Sequence, residues 1–196
     1  MTDLEKILIV RFSSIGDIVL ASPLIRCLRK KFPHAQIDFL VKSQFSELVK
    51  YNPHLSSVIE LKSSERDELR SLKKQIREQR YDAILDIHNS NRSRYLRLFC
   101  GAKHIRVVNK RAFVRFMLVK FKQHWYPKNI PSIAERYLET VKMFGVEDDG
   151  EHLEIFIPDE QSSAVTGLLS KYHLDKYEHV VGIVPVAKHF TKRWLP

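Results

Sequence analysis

The chain has 196 residues, of which 44% are hydrophobic and 29% charged. These values are ordinary for a soluble globular protein that forms one domain, or one domain and part of another. No apolar run reaches about eighteen residues, and the amino terminus lacks a basic region followed by an apolar core, so we expect neither a membrane span nor a signal peptide. The net charge of +10 predicts a basic surface that favours a polyanionic partner.

The first stretch, residues 6–32, has the pattern of a strand, a polar turn and a helix. Residues 7–10 form an aliphatic run that is typical of a parallel strand buried on both faces. Residues 13–16 interrupt this run, and from Asp17 onward apolar residues recur every three or four positions, which predicts an amphipathic helix. Pro23 lies inside the helical pattern, so we expect a kink or a break there.

The turn before this helix is a candidate site, because ligands of open α/β sheets bind beyond the carboxyl ends of the strands. Ser13 or Ser14 can cap the helix, Gly16 allows close approach to the backbone, and Asp17 places a carboxylate in the first turn. Alternatively, Asp17 only complements the helix dipole, an effect worth about 0.3 to 1 kcal/mol.

The remaining pattern alternates between strands and helices. Further strands are predicted at residues 37–41, 57–61, 81–87 and 105–108, and helices at residues 43–51, 63–80, 111–122 and 132–144. This order predicts an α/β fold, a Rossmann-like doubly wound parallel sheet, over residues 1–150. We expect a connection at 151–177 that includes a helix from Pro158 to Lys171. A buried strand at 179–184 would then open a second α/β domain at 178–196.

A second polar cluster follows the predicted strand 81–87. Asp86, His88 and residues 89–91 lie at its carboxyl end, on the same sheet edge as the first turn. His88 is a candidate site residue there. The alternative is a turn or helix cap, which the Asn-Ser-Asn run would also suit.

Basic residues concentrate in the second half of this domain. No Asp or Glu lies between Asp86 and Glu135, and this interval contains Arg92, Arg94, Arg97, Lys103, Arg106, Lys110, Arg111, Arg115, Lys120, Lys122 and Lys128. Within it, the helix predicted at 111–122 is both basic and aromatic. It is either a helix that lies on a membrane surface or a helix of the domain whose Lys and Arg side chains bury their aliphatic stems and keep their charged ends in water.

Several familiar sites are absent from the sequence. There is no Gly-x-Gly-x-x-Gly after the first strand and no phosphate-binding Gly-Lys-Ser/Thr loop, which disfavours nicotinamide dehydrogenases and Walker-type nucleotidases. No Cys/His set has zinc spacing and no Gly-x-Ser-x-Gly elbow occurs, so we predict no metal and no cofactor. Cys27 and Cys100 are expected to be reduced, buried thiols of a cytoplasmic protein. No stacking motif or recognition helix accompanies the arginines, so nucleic acid is not an expected partner.

Three segments carry a resemblance to a known family. They are ILIVRFSSIGDIVLASPLIRCLRKKFPHAQIDFLV, YDAILDIHNSNRSRYL and VGIVPVAKHFTKRWLP. In this order they resemble the ADP-heptose:lipopolysaccharide heptosyltransferases, which form glycosyltransferase family nine. The resemblance implies a GT-B architecture of two Rossmann-like domains and an inverting, metal-independent transfer of heptose from ADP-heptose to the inner core of lipopolysaccharide. It also implies a cytoplasmic enzyme, peripheral on the cytoplasmic face of the inner membrane.

The same resemblance implies roles for individual residues. Asp17 aligns with the general base of the Gly-Asp turn, while Lys192, aided by Thr191, aligns with a contact to the donor diphosphate. A carboxylate and a lysine in these roles suit the reaction, because one accepts the proton of the acceptor and the other stabilises the departing ADP. The candidates for binding the lipopolysaccharide core and lipid A are Ser14, Gly16, His88, Arg92, Arg94 and Arg111.

Two departures from the family bear on activity. Pro185-Val186-Ala187 stands where the family has Pro-Gly-Ala, and the region that holds the nucleotide in the family lies beyond Pro196. We therefore expect that this chain alone does not transfer sugar efficiently. Two alternatives stay open, namely transfer of another nucleotide-activated sugar and a non-catalytic module that binds lipopolysaccharide or another polyanion.

Overall fold

The computed structural model describes residues 4–123, 125, 129–183, 187, 190 and 193, and the chain divides into two compact units, Met1–Phe156 and Ile157–Pro196. The first unit contains one parallel sheet with the strand order β3-β2-β1-β4-β5. The strands are β1 (Lys6–Val10), β2 (Gln36–Lys42), β3 (Ser57–Leu61), β4 (Ala83–Asp86) and β5 (His104–Val107). Its α-helices are α1 (Ile15–Val19), α2 (Ser22–Lys31), α3 (Arg66–Gln79), α4 (Asn91–Arg97), α5 (Ala112–Phe121) and α6 (Ile133–Leu138).

The central strand β1 is buried on both faces, which confirms the prediction from its aliphatic run. Ile7 and Ile9 pack in one apolar cluster with α2 and α6, and Leu8 and Val10 pack in the other with α3 and α4. Because successive side chains of a strand point to opposite faces, an unbroken apolar run fills both layers at once. The α/β doubly wound fold class is confirmed.

The helix predicted from Asp17 onward is divided in two. α1 ends at Val19, and α2 begins at Ser22 with Pro23 in its first turn. Proline is tolerated there because the first amide groups of a helix have no intrahelical partner. The break that Pro23 predicted is therefore present, and it makes α1 a single short turn between the sheet edge and α2.

Other elements follow the sequence pattern with shifted ends. The short helix predicted at 43–51 is a 3-10 helix, Ser43–Leu48, and the helix predicted at 132–144 comprises α6 and a 3-10 helix, Lys142–Phe144. Gly145 ends it with a φ of 71°. Cys27 and Cys100 are buried free thiols, as predicted.

The second unit contains α7 (Asp159–Lys171) and a 3-10 helix, Leu174–Lys176. The buried strand predicted at 179–184 is wrong for residues 179–183, and residue 184 lies outside the described residues. Val181 and Ile183 are 84% and 82% exposed, and no described segment pairs with them, whereas a strand forms only beside a neighbour that completes its hydrogen bonds. The boundaries predicted at 150 and 177 stay predictions. No helix within the described ranges has the length and apolar character to cross a bilayer.

Candidate functional site

Three loops meet where the order of the sheet reverses. The chain leaves β1 and crosses to β2 on one side, whereas β4 pairs with β1 on the other side. Such a switch point leaves a crevice at the carboxyl ends of the strands, where ligands of doubly wound sheets bind. The loops that follow β1, β4 and β5 supply the side chains described below.

Asp17 lies in α1, immediately after the β1 loop, and is held by neighbours on one carboxylate oxygen. Its Oδ2 accepts hydrogen bonds from the Ser14 backbone amide at 3.3 Å and from the Ser14 hydroxyl at 3.0 Å. The same oxygen forms an ion pair with Nη2 of Arg11. The contacts of Asp17 among the described residues thus all involve Oδ2, and the side chain is 27% exposed.

Arg11 joins the β1 loop to the β4 loop. Its Nη1 donates to the carbonyl oxygen of Ile87 at 2.7 Å, and its guanidinium lies 5.8 Å from the centre of the Tyr137 ring. The residue is only 8% exposed. The guanidinium therefore fixes the carboxylate of Asp17 against the end of β4, and the sequence analysis did not select Arg11 for this role.

The environment of Asp17 keeps its carboxyl group ionised. Partial burial raises the pKa of Asp17, but the charge of Arg11 and the hydrogen bonds from Ser14 outweigh burial, so the pKa lies below its ordinary value. At neutral pH the group is a carboxylate, which can accept a proton.

Asp86 at the end of β4 builds the turn that carries His88. Its Oδ1 accepts hydrogen bonds from the backbone amides of His88 at 3.1 Å and Asn89 at 2.6 Å, and its Oδ2 lies 3.3 Å from Nε of Arg97. Asn89 has a φ of 48° and donates its side-chain amide to the Val108 carbonyl at 3.1 Å. Asp86, which is fully buried, is therefore a structural residue that ties the β4 loop to the β5 loop.

His88 is a partly buried, uncharged imidazole. Its ring centre lies 4.8 Å from that of Phe12, and its Nδ1 is buried with no hydrogen-bond partner among the described residues. Burial, followed by the charges of Arg11, Lys110 and Arg92, lowers the pKa of His88 to about 4, while Asp17 acts in the opposite direction. At neutral pH this ring therefore offers one hydrogen-bond acceptor and one N–H donor, and no positive charge.

Two cations line the same crevice. Burial and the nearby charge of Arg11 lower the pKa of Lys110. Arg92 lies with its guanidinium 6.0 Å from the centre of the Phe12 ring and donates to the Ser64 hydroxyl. Among the described residues, the acids beside these basic groups are Asp17, which pairs with Arg11, and Asp86, which is buried beside Arg97. Arg92 and Lys110 form no ion pair in that part of the chain, so the site favours an anionic ligand.

The structure brings several of the predicted site residues together. Ser14, Asp17, His88 and Arg92 surround the switch point. Gly16 is exposed at the same turn, and an added Cβ there would meet no atom within 4 Å.

The other predicted residues divide into three cases. Arg111 directly precedes α5, beside Lys110, and its Nη1 is buried without a hydrogen-bond partner in the described part of the chain. Arg94 is exposed on α4, and the structure describes no contact between Arg94 and Asp17. Thr191 and Lys192 lie outside the described residues.

The basic interval contains cations of two kinds. Arg97 and Lys103 already pair with acids of the sheet, Asp86 and Asp82. Arg92, Arg94 and Arg115 form no ion pair within the described ranges. The charge available to a ligand is therefore smaller than the sequence count indicates.

One group of potential metal ligands lies outside the crevice, but its ion pairs disfavour a metal ion. Potential ligand atoms of Cys27, Asp148 and Asp149 lie within 4.8 Å of one another. Asp149, however, already pairs with Arg26 at 2.7 Å and Lys30 at 2.6 Å. A divalent cation would have to displace two positive charges, so this cluster serves a structural role.

Arg11 is one of the site residues that sequence reasoning missed. A charged side chain directly after a buried strand is itself a signal, because burial of a cation requires a partner. Arg11 is in that position, one residue beyond Val10. The partner, Asp17, was already among the candidates.

Sequence comparison places these features among known proteins. The family described as glycosyltransferase family 9 (heptosyltransferase) matches residues 69–196. Lipopolysaccharide heptosyltransferase 2 of Escherichia coli (strain K12) is 25% identical over 198 residues, which cover 96% of this chain and 56% of that protein. Lipopolysaccharide heptosyltransferase 1 of Pseudomonas aeruginosa is 22% identical over 132 residues, which cover 62% of this chain and 37% of that protein. The chain thus spans about half the length of the curated relatives that it matches along most of its sequence.

Solved structures show the same fold. The crystal structure of the glycosyl transferase family 9 from Veillonella parvula DSM 2008 superposes with a TM-score of 0.76 at 22% identity, over 96% of this chain and 55% of that one. The E. coli ADP-heptose lps heptosyltransferase II has a TM-score of 0.60 at 24% identity, over 84% of this chain and 50% of that one.

Proposed function

We propose, because this chain belongs to glycosyltransferase family 9, that it forms the acceptor-binding side of a heptosyltransferase that builds the inner core of lipopolysaccharide. The donor is ADP-heptose, and the reaction inverts the anomeric carbon without a metal ion. Two relatives bear the name lipopolysaccharide heptosyltransferase 2, and one solved neighbour is named as an ADP-heptose enzyme, which supports this choice of substrates.

One observation carries the proposed mechanism, namely that Asp17 is held by Oδ2 and presents Oδ1. The acceptor hydroxyl oxygen forms a bond to the anomeric carbon of the donor while the bond from that carbon to the diphosphate breaks. The hydroxyl proton passes to Oδ1 of Asp17, and ADP leaves with the electron pair. Arg11 and Ser14 fix the carboxylate at one edge, so that its free oxygen is already oriented.

The lowered pKa of Asp17 makes it a weak base toward an unreacted hydroxyl. As the bond to the anomeric carbon forms, the hydroxyl becomes strongly acidic, and the proton transfers late in the reaction. A carboxylate that stays ionised at neutral pH is suited to this late transfer, because no enzyme is lost to the protonated form.

The basic groups around the crevice bind the anionic acceptor. Arg92, Lys110 and Arg111 contact phosphate or carboxylate groups of the lipopolysaccharide core and lipid A, and Arg94 contributes from the exposed side of α4. Neutral His88, which is partly buried beside the crevice, can exchange a hydrogen bond with a sugar hydroxyl of the acceptor. Thr191 and Lys192 contact the donor diphosphate, and the enzyme works on the cytoplasmic face of the inner membrane.

The test separates acceptor binding from transfer. Heptose-free lipopolysaccharide in detergent is titrated into the chain by calorimetry, and ADP-heptose is titrated separately with ADP as control. Transfer is followed as a mass increase of one heptose on the acceptor. We expect the chain to bind the acceptor, and Asp17→Asn to retain this binding and to reduce any transfer by about 100-fold or more.

Asp67→Asn is the matched control, because Asp67 is an acid whose side chain is 93% exposed on α3. It should leave binding and transfer unchanged. Failure to bind the acceptor would contradict the proposal, and so would measurable transfer by the parent chain that Asp17→Asn leaves unchanged. Transfer from a different nucleotide sugar would favour the other donor, and acceptor binding combined with a transfer-inactive longer protein would favour the non-catalytic module.

A further inference from the structure

α5 is an apolar helix with Val114, Met117 and Leu118 half-buried and another side exposed. None of its ten residues is buried. Phe113, Phe116 and Val119 are 63%, 53% and 66% exposed and recur at spacings of three, which places them along one side of the helix. A helix of a water-soluble domain normally buries its apolar side, so this side is available to another surface.

The exposed aromatic side chains form two pairs, which together are called the aromatic cluster. The ring of Phe113 lies 5.8 Å from that of Trp125, and the ring of Phe116 lies 5.9 Å from that of Phe121. Trp125 and Phe121 are themselves 53% and 56% exposed. Aromatic residues with one face in water and one on apolar neighbours are typical of the boundary between lipid headgroups and acyl chains.

The charge around this cluster has a single sign. Arg115, Lys120 and Lys122 are exposed in or directly after α5, and no acidic residue lies in the sequence between Asp86 and Glu135. A segment with several exposed cations and no acid in its own sequence complements an anionic surface. Phosphatidylglycerol and other anionic lipids supply such a surface, and each nearby Lys or Arg adds to the attraction.

The β5 loop connects α5 to the candidate site. α5 begins directly after Lys110 and Arg111, and the β5 loop that leads to it is tied to the β4 turn by the hydrogen bond from Asn89 to Val108. A bilayer in contact with α5 would therefore lie beside the crevice that contains Asp17 and His88.

We propose that α5, with Trp125, is the membrane-contacting surface of this protein, and that its occupant is a bilayer that contains anionic lipid. The helix lies in the plane of the interface, with Phe113 and Phe116 among the upper acyl chains and Arg115 and Lys120 at the phosphates. This inference deepens the proposed function, because an acceptor anchored in the bilayer would reach the crevice from the side of α5.

Vesicle binding by the full chain tests the proposal. The chain is sedimented with vesicles of phosphatidylcholine alone and of phosphatidylcholine with phosphatidylglycerol, at low and high salt. We expect binding only where phosphatidylglycerol is present, and weaker binding at high salt. The double variant Phe113→Ser/Phe116→Ser should bind at least about tenfold more weakly, and Arg115→Gln/Lys120→Gln should also bind about tenfold more weakly or worse.

The matched control is Val165→Ser/Leu168→Ser on α7. These two side chains are 56% and 59% exposed, but α7 begins with two acidic residues. The control should bind vesicles like the parent chain. A second readout is the emission of Trp125, obtained by subtracting the spectrum of Trp125→Phe, which should shift to shorter wavelength on vesicles with phosphatidylglycerol.

Several results would overturn the proposal. They are equal binding by Phe113→Ser/Phe116→Ser and the parent chain, equal binding to vesicles with and without phosphatidylglycerol, and no binding by the parent chain. Self-association of the parent chain that this variant abolishes, without vesicle binding, would identify the occupant as a second copy instead. Because neither donor nor acceptor is present, vesicle binding can fail while Asp17 still acts as base, and the reverse also holds.

Discussion

The ion pair between Arg11 and Asp17 is mainly a positioning device. The side chains of the pair are 10% and 27% exposed, and Arg11 also reaches the Ile87 carbonyl. A simple surface pair contributes up to about 1 kcal/mol to folding. This pair has the further effect of deciding which carboxylate oxygen faces the crevice, so its loss should change chemistry more than stability.

Replacing Arg11 should shift two titrations in the same direction. Arg11 lowers the pKa of both Asp17 and His88, so Arg11→Gln should raise both values, and that of His88 from about 4 toward 6.5. Proton NMR of the imidazole as a function of pH measures the shift directly. Arg11→Lys keeps the charge and should restore most of the low value, while Arg70→Gln on exposed α3 should have no effect. An unchanged His88 titration in Arg11→Gln would contradict this account.

His88 should lower the free energy of unfolding in mild acid. Its pKa is about 4 in the folded chain and 6.5 for an ordinary imidazole, so between these values the unfolded chain binds a proton that the folded chain does not. The free energy of unfolding must then fall as the pH drops from about 6.5 to about 4. We expect this loss to be about 1 to 2 kcal/mol, reduced by partial exposure of the ring.

Urea denaturation of the parent chain and of His88→Asn, at neutral pH and near pH 5, measures this contribution. The acid-induced loss should be smaller in His88→Asn, because Asn does not titrate. His34→Asn, a change at an exposed histidine, is the control and should behave like the parent chain. Equal losses in all three chains would show that the imidazole is protonated alike in the folded and unfolded states.

For single residues, the sequence predicts which side chains lie near the site but not which contacts they make. Asp17 and His88 could be selected because each follows a strand at a predictable sheet edge. The role of Arg11 depends on its distance to Ile87 and Asp17, which only the packed sheet defines. The same holds for Asp86, which looks like a site residue in the sequence but is buried, with Oδ1 bound to its own turn and Oδ2 beside Arg97.

At the level of elements, α2 is fastened to the segment before the second unit by a buried arginine. Arg26 is 4% exposed and binds Asp149 through Nε at 2.8 Å and Nη2 at 2.7 Å. Its Nη1 donates to the His152 carbonyl at 2.9 Å and lies 3.0 Å from a Glu154 oxygen. Ser22 on the same helix accepts a hydrogen bond from the Glu154 amide at 2.9 Å. These contacts hold residues 149–154 along α2.

Removing the contacts of Arg26 should lower the free energy of unfolding. Arg26→Met leaves the Asp149 carboxylate, whose side chain is 14% exposed, with Lys30 alone, and we expect a loss of about 2 to 4 kcal/mol in the free energy of unfolding. Arg70→Met removes an exposed pair and should change it by less than about 0.5 kcal/mol. Urea denaturation measures both. Equal midpoints for the two variants would mean that the Arg26 pairs contribute no more than surface charges.

The predicted elements were accurate where local pattern and packing agree. β1, α3 and the break at Pro23 depend on apolar periodicity and backbone chemistry that the sequence contains. The strand expected at 179–184 depended on an apolar run alone, and an apolar run becomes a strand only when another strand lies beside it. Its residues 179–183 have no such neighbour in the described part of the chain.

For the whole molecule, stability should reside in the first unit. Both apolar clusters lie between Leu4 and Val146, and no described residue after Phe156 is buried. A chain that ends at Phe156 should therefore unfold at the same urea concentration as the full chain. A chain that ends at Asp148 also lacks the partners of Arg26, and it should lose about as much stability as Arg26→Met, about 2 to 4 kcal/mol. A large loss already at Phe156 would contradict this distribution.

The contact from Arg11 to Ile87 has a consequence for synthesis of the protein. The two residues are 76 positions apart in the chain. A ribosome that adds about 5 to 20 residues per second needs about 4 to 15 seconds to produce the second after the first. For that interval the nascent chain carries Arg11 and Asp17 without the sheet edge that arranges them. The crevice is thus completed only after β4 has been made and joins β1, and a slow stretch of codons before residue 87 would prolong the time that this segment spends unprotected.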